Sequence, residues 1–243
     1  IIRTMDIGGD KEVDYLEFEK ELNPFLGYRA IRYCLDEKEV FKTQIKSLLQ
    51  ASTVGNLKIM IPIISSLGEL REAKKLIEES KKELRKENIK FKKDIPLGMM
   101  IEVPSAALMS DKLAKEVDFF SIGTNDLVQY TTATDRMNSK VSKLYSPYNP
   151  GVLRLIDMTI RNGHKENIWV GMCGSVAGDQ RLIPLLLAMG LDEFSVSPSK
   201  LLKSRKLINS LDTKKLQEMK EKVLDQGTKE EVKSVLEEYK HKK

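Results

Sequence analysis

Phe119-Phe120-Ser121-Ile122-Gly123-Thr124-Asn125-Asp126 begins as an apolar run and ends abruptly in an amide and a carboxylate. A near-continuous hydrophobic run is how a parallel strand buried on both faces reads, so its polar end marks where the core opens to solvent. The same pattern recurs in Ile1-Ile2-Arg3, in Met99-Met100-Ile101-Glu102 and in Trp169-Val170-Gly171-Met172-Cys173. Repetition of that kind describes a rim. Helical stretches separate the runs, which predicts an α/β fold of the TIM-type (β/α)8 barrel kind, whose C-terminal rim is where active sites are built.

Six segments read as strands: 1–7, 57–63, 97–103, 118–123, 168–172 and 193–196. Between them lie helical patterns over 29–49, 67–86, 105–115, 152–162 and 181–189, the clearest being 67–86, which Ser66 and Glu69 open as a capping box. A closed barrel needs eight strands. The expectation is therefore an incomplete barrel over 1–210, with about two strands belonging upstream of Ile1 in a longer protein, and a helical tail over 211–243. An open six-stranded sheet is the plainer alternative. Thr228 and Glu231 offer a second capping box inside the tail.

The chain has 243 residues, close to the roughly 250 of such a barrel. Charged residues make up 32% and hydrophobic ones 41%, with no run of about 18 apolar residues to span a bilayer. The net charge of +5 comes from scattered lysines interleaved with acids, and aromatics are only 6%, which argues against a nucleic-acid partner. Cys34 and Cys173 have no CxxC spacing, so neither zinc nor a redox pair is indicated, and a reducing cytoplasm is the expected compartment.

Each rim residue has a bland reading beside a chemical one. Glu102, followed by Pro104, could pair with a rim cation; together with Asp126 it offers the hard oxygen donors that magnesium takes, completed by water and substrate oxygens. Thr124, Asn125 and Asp126 are all favoured helix caps, yet they also present an amide and a carboxylate at one strand end. Arg136 is either solvated or a planar clamp for carboxylate or phosphate. Arg3 within an apolar strand needs a partner, with Asp6 at hand, or an anion, to which Gly8-Gly9-Asp10-Lys11 would add backbone and a second cation. Arg29 and Arg32 follow the turn 23–28 and read as solvated helix residues. Cys173, flanked by Gly171 and Gly174, is a small core residue or a thiol facing the site, where with a pKa near ~8.5 it could protonate carbon or attack a substrate. Cys34 reads as packing. Neither His164 nor His241 sits in a motif.

Taken together, the stretches 3–11, 23–29, Ile101-Glu102-Val103-Pro104, 118–127 and Gly171-Met172-Cys173-Gly174 closely resemble the C-terminal phosphoenolpyruvate-binding domain of Enzyme I. That family comprises the phosphoenolpyruvate-protein phosphotransferases of the bacterial sugar phosphotransferase system. The resemblance runs from Ile1 to about Ser210. It implies a cytoplasmic homodimer that binds phosphoenolpyruvate and magnesium, passes the phosphoryl group to a histidine on an N-terminal domain and then to a small phosphocarrier protein, and releases pyruvate. Carried over position by position, Glu102 and Asp126 would hold Mg2+; Arg3, Asn125, Asp126 and Arg136 would bind substrate, with Arg29 a further contact. Cys173 would protonate the enolate. The resemblance implies that this stretch alone, without the histidine domain and an upstream phosphate-binding arginine, is inactive in transfer. One departure is Ser175, where the family usually has glutamate. A pyruvate phosphate dikinase or phosphoenolpyruvate synthase barrel and a non-catalytic ligand-binding or dimerisation module remain the alternatives.

Overall fold

The computed structural model describes residues 1–8 and 19–240; Gly9, Asp10, Lys11 and His241 lie outside the described residues. The chain divides into two compact units, Ile1–Met100 and Ile101–Lys243. Each follows the alternation of strand and helix.

In the first unit, β1 (Ile2–Arg3) leads through a short 3-10 turn, Pro24–Leu26, to α1 (Ile31–Asp36) and α2 (Lys38–Ala51), then β2 (Ile59–Ile61), α3 (Leu67–Lys86) and β3 (Leu97–Ile101). The strands pair in parallel, Ile2 opposite Ile59 and Ile59 opposite Leu97. α3 forms because Leu70, Ala73, Leu76, Ile77, Ser80 and Leu84 repeat at helical spacing and are all buried. Its start is closed by the expected capping box, Ser66 Oγ accepting from the Glu69 amide at 3.2 Å and Glu69 Oε2 from the Ser66 amide at 2.9 Å. α2 packs on α3, and Lys42 and Lys46 both pair with Glu83 across that contact.

The second unit continues with α4 (Pro104–Leu108), α5 (Ser110–Leu113), β4 (Phe119–Gly123), α6 (Thr124–Thr131), α7 (Pro150–Lys165), β5 (Trp169–Cys173), α8 (Ile183–Met189), β6 (Glu193–Phe194), α9 (Pro198–Asn209), α10 (Gln217–Asp225) and α11 (Lys229–Lys240). β4 and β5 run parallel from Phe119 opposite Trp169 to Gly123 opposite Cys173, so their polar ends align. Every β4 residue is buried, as a strand covered on both faces requires. The Phe119 and Trp169 rings stack at 4.5 Å. α10 and α11 dock on this unit through buried Met219, Val223, Val232 and Leu236, and Arg154 of α7 donates to the carbonyls of Leu224 and Gln226.

Among the described residues the α/β class, the six strands and the parallel pairing are those expected, two strand–helix repeats fewer than a closed barrel has. Several bounds differ. The run 1–7 is a strand only at Ile2–Arg3, because the Met5 amide leaves the ladder for Gln44 Oε1 at 2.9 Å. The pattern 29–49 is two helices, broken at Glu37 with ψ 61°. α9, unmarked in the sequence reading, is a largely exposed helix opened by Pro198, with Ser204 alone among its residues buried.

Candidate active site

α6 begins directly after the last residue of β4, which places its first three residues at the strand end. As N-terminal helix residues they could cap their own backbone, yet each reaches a residue outside the helix. Thr124 Oγ1 donates instead to the carbonyl of Cys173 at 2.9 Å, tying the ends of β4 and β5 together. Asn125 is exposed, and its Oδ1 accepts from the Ser175 amide at 3.2 Å and from Ser175 Oγ at 3.1 Å. Asp126 Oδ1 accepts from Arg136 at 3.0 Å, the side chains being 12% and 22% exposed. A carboxylate in the first turn of a helix is also favoured by the helix dipole.

Arg136 is held from behind. Its amide donates to Oε1 of buried Gln129 at 3.1 Å, so the loop after α6 carries the guanidinium back to the start of that helix. The Tyr145 hydroxyl donates to the Asn125 carbonyl at 3.3 Å; burial pushes its pKa up while Arg136 and a Ser175 hydrogen bond pull it down. Gln129 and Tyr145 belong to no motif, and the sequence reading missed both.

Cys173 closes β5, partly exposed, and Gly174 follows with φ +91°. A Cβ at Gly174 would lie 2.4 Å from Thr124 Oγ1 and 3.1 Å from Asn125 Oδ1, so only glycine lets the β5 loop lie against α6. Glu102, directly after β3, is 1% exposed, and α4, which Pro104 starts, packs on α6. Thus Asn125, Asp126, Arg136, Cys173 and Ser175 converge at the ends of β4 and β5.

The other predicted residues, Arg3 and Arg29, belong to the first unit. Arg29 is 1% exposed and donates to Asp6 Oδ1 at 3.0 Å, whereas a solvated helix arginine was expected; burial became possible because Asp6 carries the opposite charge. Arg3 pairs with Asp6 at 3.5 Å as expected, but with its side chain 41% exposed it pays little of the desolvation cost that a buried strand position would impose. Burial and the Asp6 charge push the nearby Cys34 thiol up to about 12.

A cavity of about 890 Å3 opens elsewhere in the second unit, lined in part by Pro184, Leu207, Leu216, Met219 and Leu236. Its size suits a small molecule. None of the predicted site residues lines it.

Parallel strands followed at their ends by carboxylate, amide and thiol define an α/β domain of the incomplete-barrel class. The chain belongs to the PEP-utilising enzymes: the model of their PEP-binding domain matches residues 1–213. It is 56% identical to the phosphoenolpyruvate-protein phosphotransferase of Bacillus subtilis (strain 168), over 96% of this chain and 41% of the relative. The proteins of the same name from Staphylococcus carnosus and Mycoplasma capricolum are 54% and 52% identical, each over 98% of this chain and 42% of the relative. The chain therefore spans about two fifths of the length of the curated relatives it matches. A citrate lyase from Burkholderia xenovorans LB400 is similar in structure, with a TM-score of 0.53 at 16% identity over 83% of this chain and 69% of the other, a likeness of fold alone.

Proposed function

We propose that this chain binds phosphoenolpyruvate with a magnesium ion and, within a longer protein, starts phosphoryl transfer to a histidine of another domain and onward to a phosphocarrier protein. The observation that carries the reading is the Asp126–Arg136 pair beside Asn125 and the Cys173 thiol, in a chain of the phosphoenolpyruvate-binding family. Arg136 offers a planar fork suited to carboxylate or phosphate. Glu102 and Asp126 would hold the metal. No group of three or more His, Cys, Asp or Glu side chains suited to a metal occurs among the described residues, which fits an ion that takes two carboxylates and completes its shell with water and substrate oxygens. When bound, it would neutralise charge growing on the substrate oxygens.

In the proposed step the bond between phosphorus and the enol oxygen breaks as the histidine nitrogen bonds to phosphorus. The electron pair left on oxygen makes the enolate of pyruvate. Its terminal carbon takes the proton of Cys173 Sγ, and water restores the thiol. Arg3 and Arg29 enter as further contacts on the family resemblance. A homodimer acting in the cytoplasm, with 1–210 as barrel and 211–243 as a C-terminal helical tail, completes the proposal. Among the described residues no helix is long and apolar enough to cross a membrane.

Calorimetric titration of this chain with phosphoenolpyruvate tests the binding half. Affinity is expected to require Mg2+ and to fall at least about 10-fold, ~1.4 kcal/mol, in Arg136→Ala. Binding indifferent to both would sink the reading. In the full-length protein with its phosphocarrier, Cys173→Ala is expected to lower pyruvate release steeply while substrate still binds.

A further inference from the structure

The segment between α6 and α7 carries two tyrosines that reach two different strand ends. Tyr145 bonds the Asn125 carbonyl beyond β4, and the Tyr148 hydroxyl donates to Asp179 Oδ2 at 2.6 Å in the loop beyond β5. Asp179 organises that loop: its Oδ1 accepts from the Arg181 amide at 3.0 Å, and its carbonyl from the amides of Leu182 and Ile183 at 2.9 and 3.0 Å. Tyr148 is only 5% exposed, so a hydrogen bond to a carboxylate there is both strong and geometrically strict.

The same segment is gripped by the C-terminal helix. Lys229 of α11 donates to the Lys143 carbonyl at 3.2 Å, and Lys233, one turn on, has its ammonium 5.3 Å from the Tyr148 ring centroid. The Arg181 guanidinium lies 4.9 Å from that centroid. A contiguous chain of contacts thus runs from α11 through Tyr148 and Asp179 to the loop that starts at Cys173.

We propose that Tyr148 is a positioning residue for the Cys173 thiol and that α11 sets its position. The tail is then part of the site's machinery rather than an appendage. The catalytic consequence rests on the reading of Cys173 as proton donor; the coupling itself does not.

Tyr148→Phe removes only the hydroxyl and leaves the ring to both cations. The readout is alkylation of native protein by iodoacetamide at about pH 8, where a partly exposed thiol reacts and a buried one does not. Cys34, 1% exposed with its pKa pushed up to about 12, serves as the internal reference for folding. Tyr148→Phe is expected to speed Cys173 alkylation at least about threefold, and the Lys229→Ala/Lys233→Ala pair by a smaller factor, with Cys34 silent throughout. In the full-length protein, kcat for pyruvate formation should fall at least about fivefold in Tyr148→Phe while KM stays within about twofold, a split that general destabilisation does not produce. Should Tyr148→Phe unfold, seen as labelling of Cys34, the double-lysine variant carries the same test. Unchanged Cys173 alkylation in folded variants overturns the proposal. Faster alkylation in a protein whose wild type makes no pyruvate sinks the transfer reading and upholds the coupling.

Discussion

Two arginine–aspartate pairs in this chain share a bond length and differ in almost everything else. Arg29 meets Asp6 Oδ1 at 3.0 Å with side chains 1% and 4% exposed; Arg136 meets Asp126 Oδ1 at 3.0 Å with side chains 22% and 12% exposed. Burying a charge pair costs most of what its attraction returns, so the first pair gains little net but cannot be opened without stranding a charge. The second keeps contact with water and hangs on a loop, where an arriving anion can compete for the guanidinium. One contact is closed off from water; the other, in the proposed function, is an exchangeable ligand site.

The sharpest test of that contrast is to cut each pair. Arg29→Ala should destabilise the chain by up to about 3–5 kcal/mol in urea denaturation, because buried Asp6 then relies on the half-exposed Arg3 for counter-charge. Arg136→Ala should cost under about 1 kcal/mol of stability and show its effect in phosphoenolpyruvate affinity instead. Equal losses of stability would abolish the distinction. A smaller effect, about 1–3 kcal/mol, is expected at the two glycines beside these pairs, both held at positive φ. A Cβ at Gly8 would meet the Tyr28 carbonyl oxygen at 2.6 Å and Arg29 Cβ at 2.9 Å, whereas at Gly174 it meets the Thr124 hydroxyl at 2.4 Å. Since a side chain yields more easily than backbone, Gly8→Ala should be the costlier in denaturation and Gly174→Ala the one that weakens ligand binding.

The buried Cys34 thiol extends the comparison to pH. Burial first and the Asp6 charge second push Cys34 up to about 12. An unfolded cysteine titrates near ~8.5, so above that pH the unfolded chain releases a proton that the folded chain keeps. Stability should therefore be intact below about pH 8.5 and fall by up to ~1.4 kcal/mol per pH unit above it, until the folded thiol also ionises. Denaturation midpoints measured through the alkaline range should decline less steeply in Cys34→Ala than in the unaltered chain. Identical slopes in the two proteins would remove Cys34 from the account.

What the sequence made legible follows the same divide. Strand positions, the α3 capping box and the residues at strand ends could all be read, because each depends on neighbours a few positions away: an apolar run that stops, or a serine three residues before a glutamate. The burial of Arg29 could not, since its reason, Asp6, is 23 residues upstream and pairing across a turn leaves no periodic trace. The early end of β1 has the same cause, a side-chain amide of Gln44 competing for the Met5 amide from 39 residues away. In the rim, Asn125, Asp126 and Cys173 were visible as polar ends of buried strands. Gln129 and Tyr145 were not, because a loop returning to its own helix defines them, nor was Tyr148, whose partner Asp179 is 31 residues away.

The smallest effect separates the two regions most cleanly, since both contain the same helix-start device. Thr228 Oγ1 accepts from the Glu231 amide at 3.2 Å and Glu231 Oε2 from the Thr228 amide at 2.9 Å, the same lengths as in the Ser66–Glu69 box. Ser66→Ala and Thr228→Ala should each cost about 1 kcal/mol, measured by denaturation. Their consequences should then part. Fraying the first turn of α11 loosens Lys229 and, a turn later, Lys233, so Thr228→Ala should raise the Cys173 alkylation rate by a factor of roughly two, within the range of modest coupling. Ser66→Ala frays α3, an element of the first unit, and should leave the rate unchanged. Equal acceleration by both would mean that the thiol reports overall stability, and α11 would lose its claim on the site.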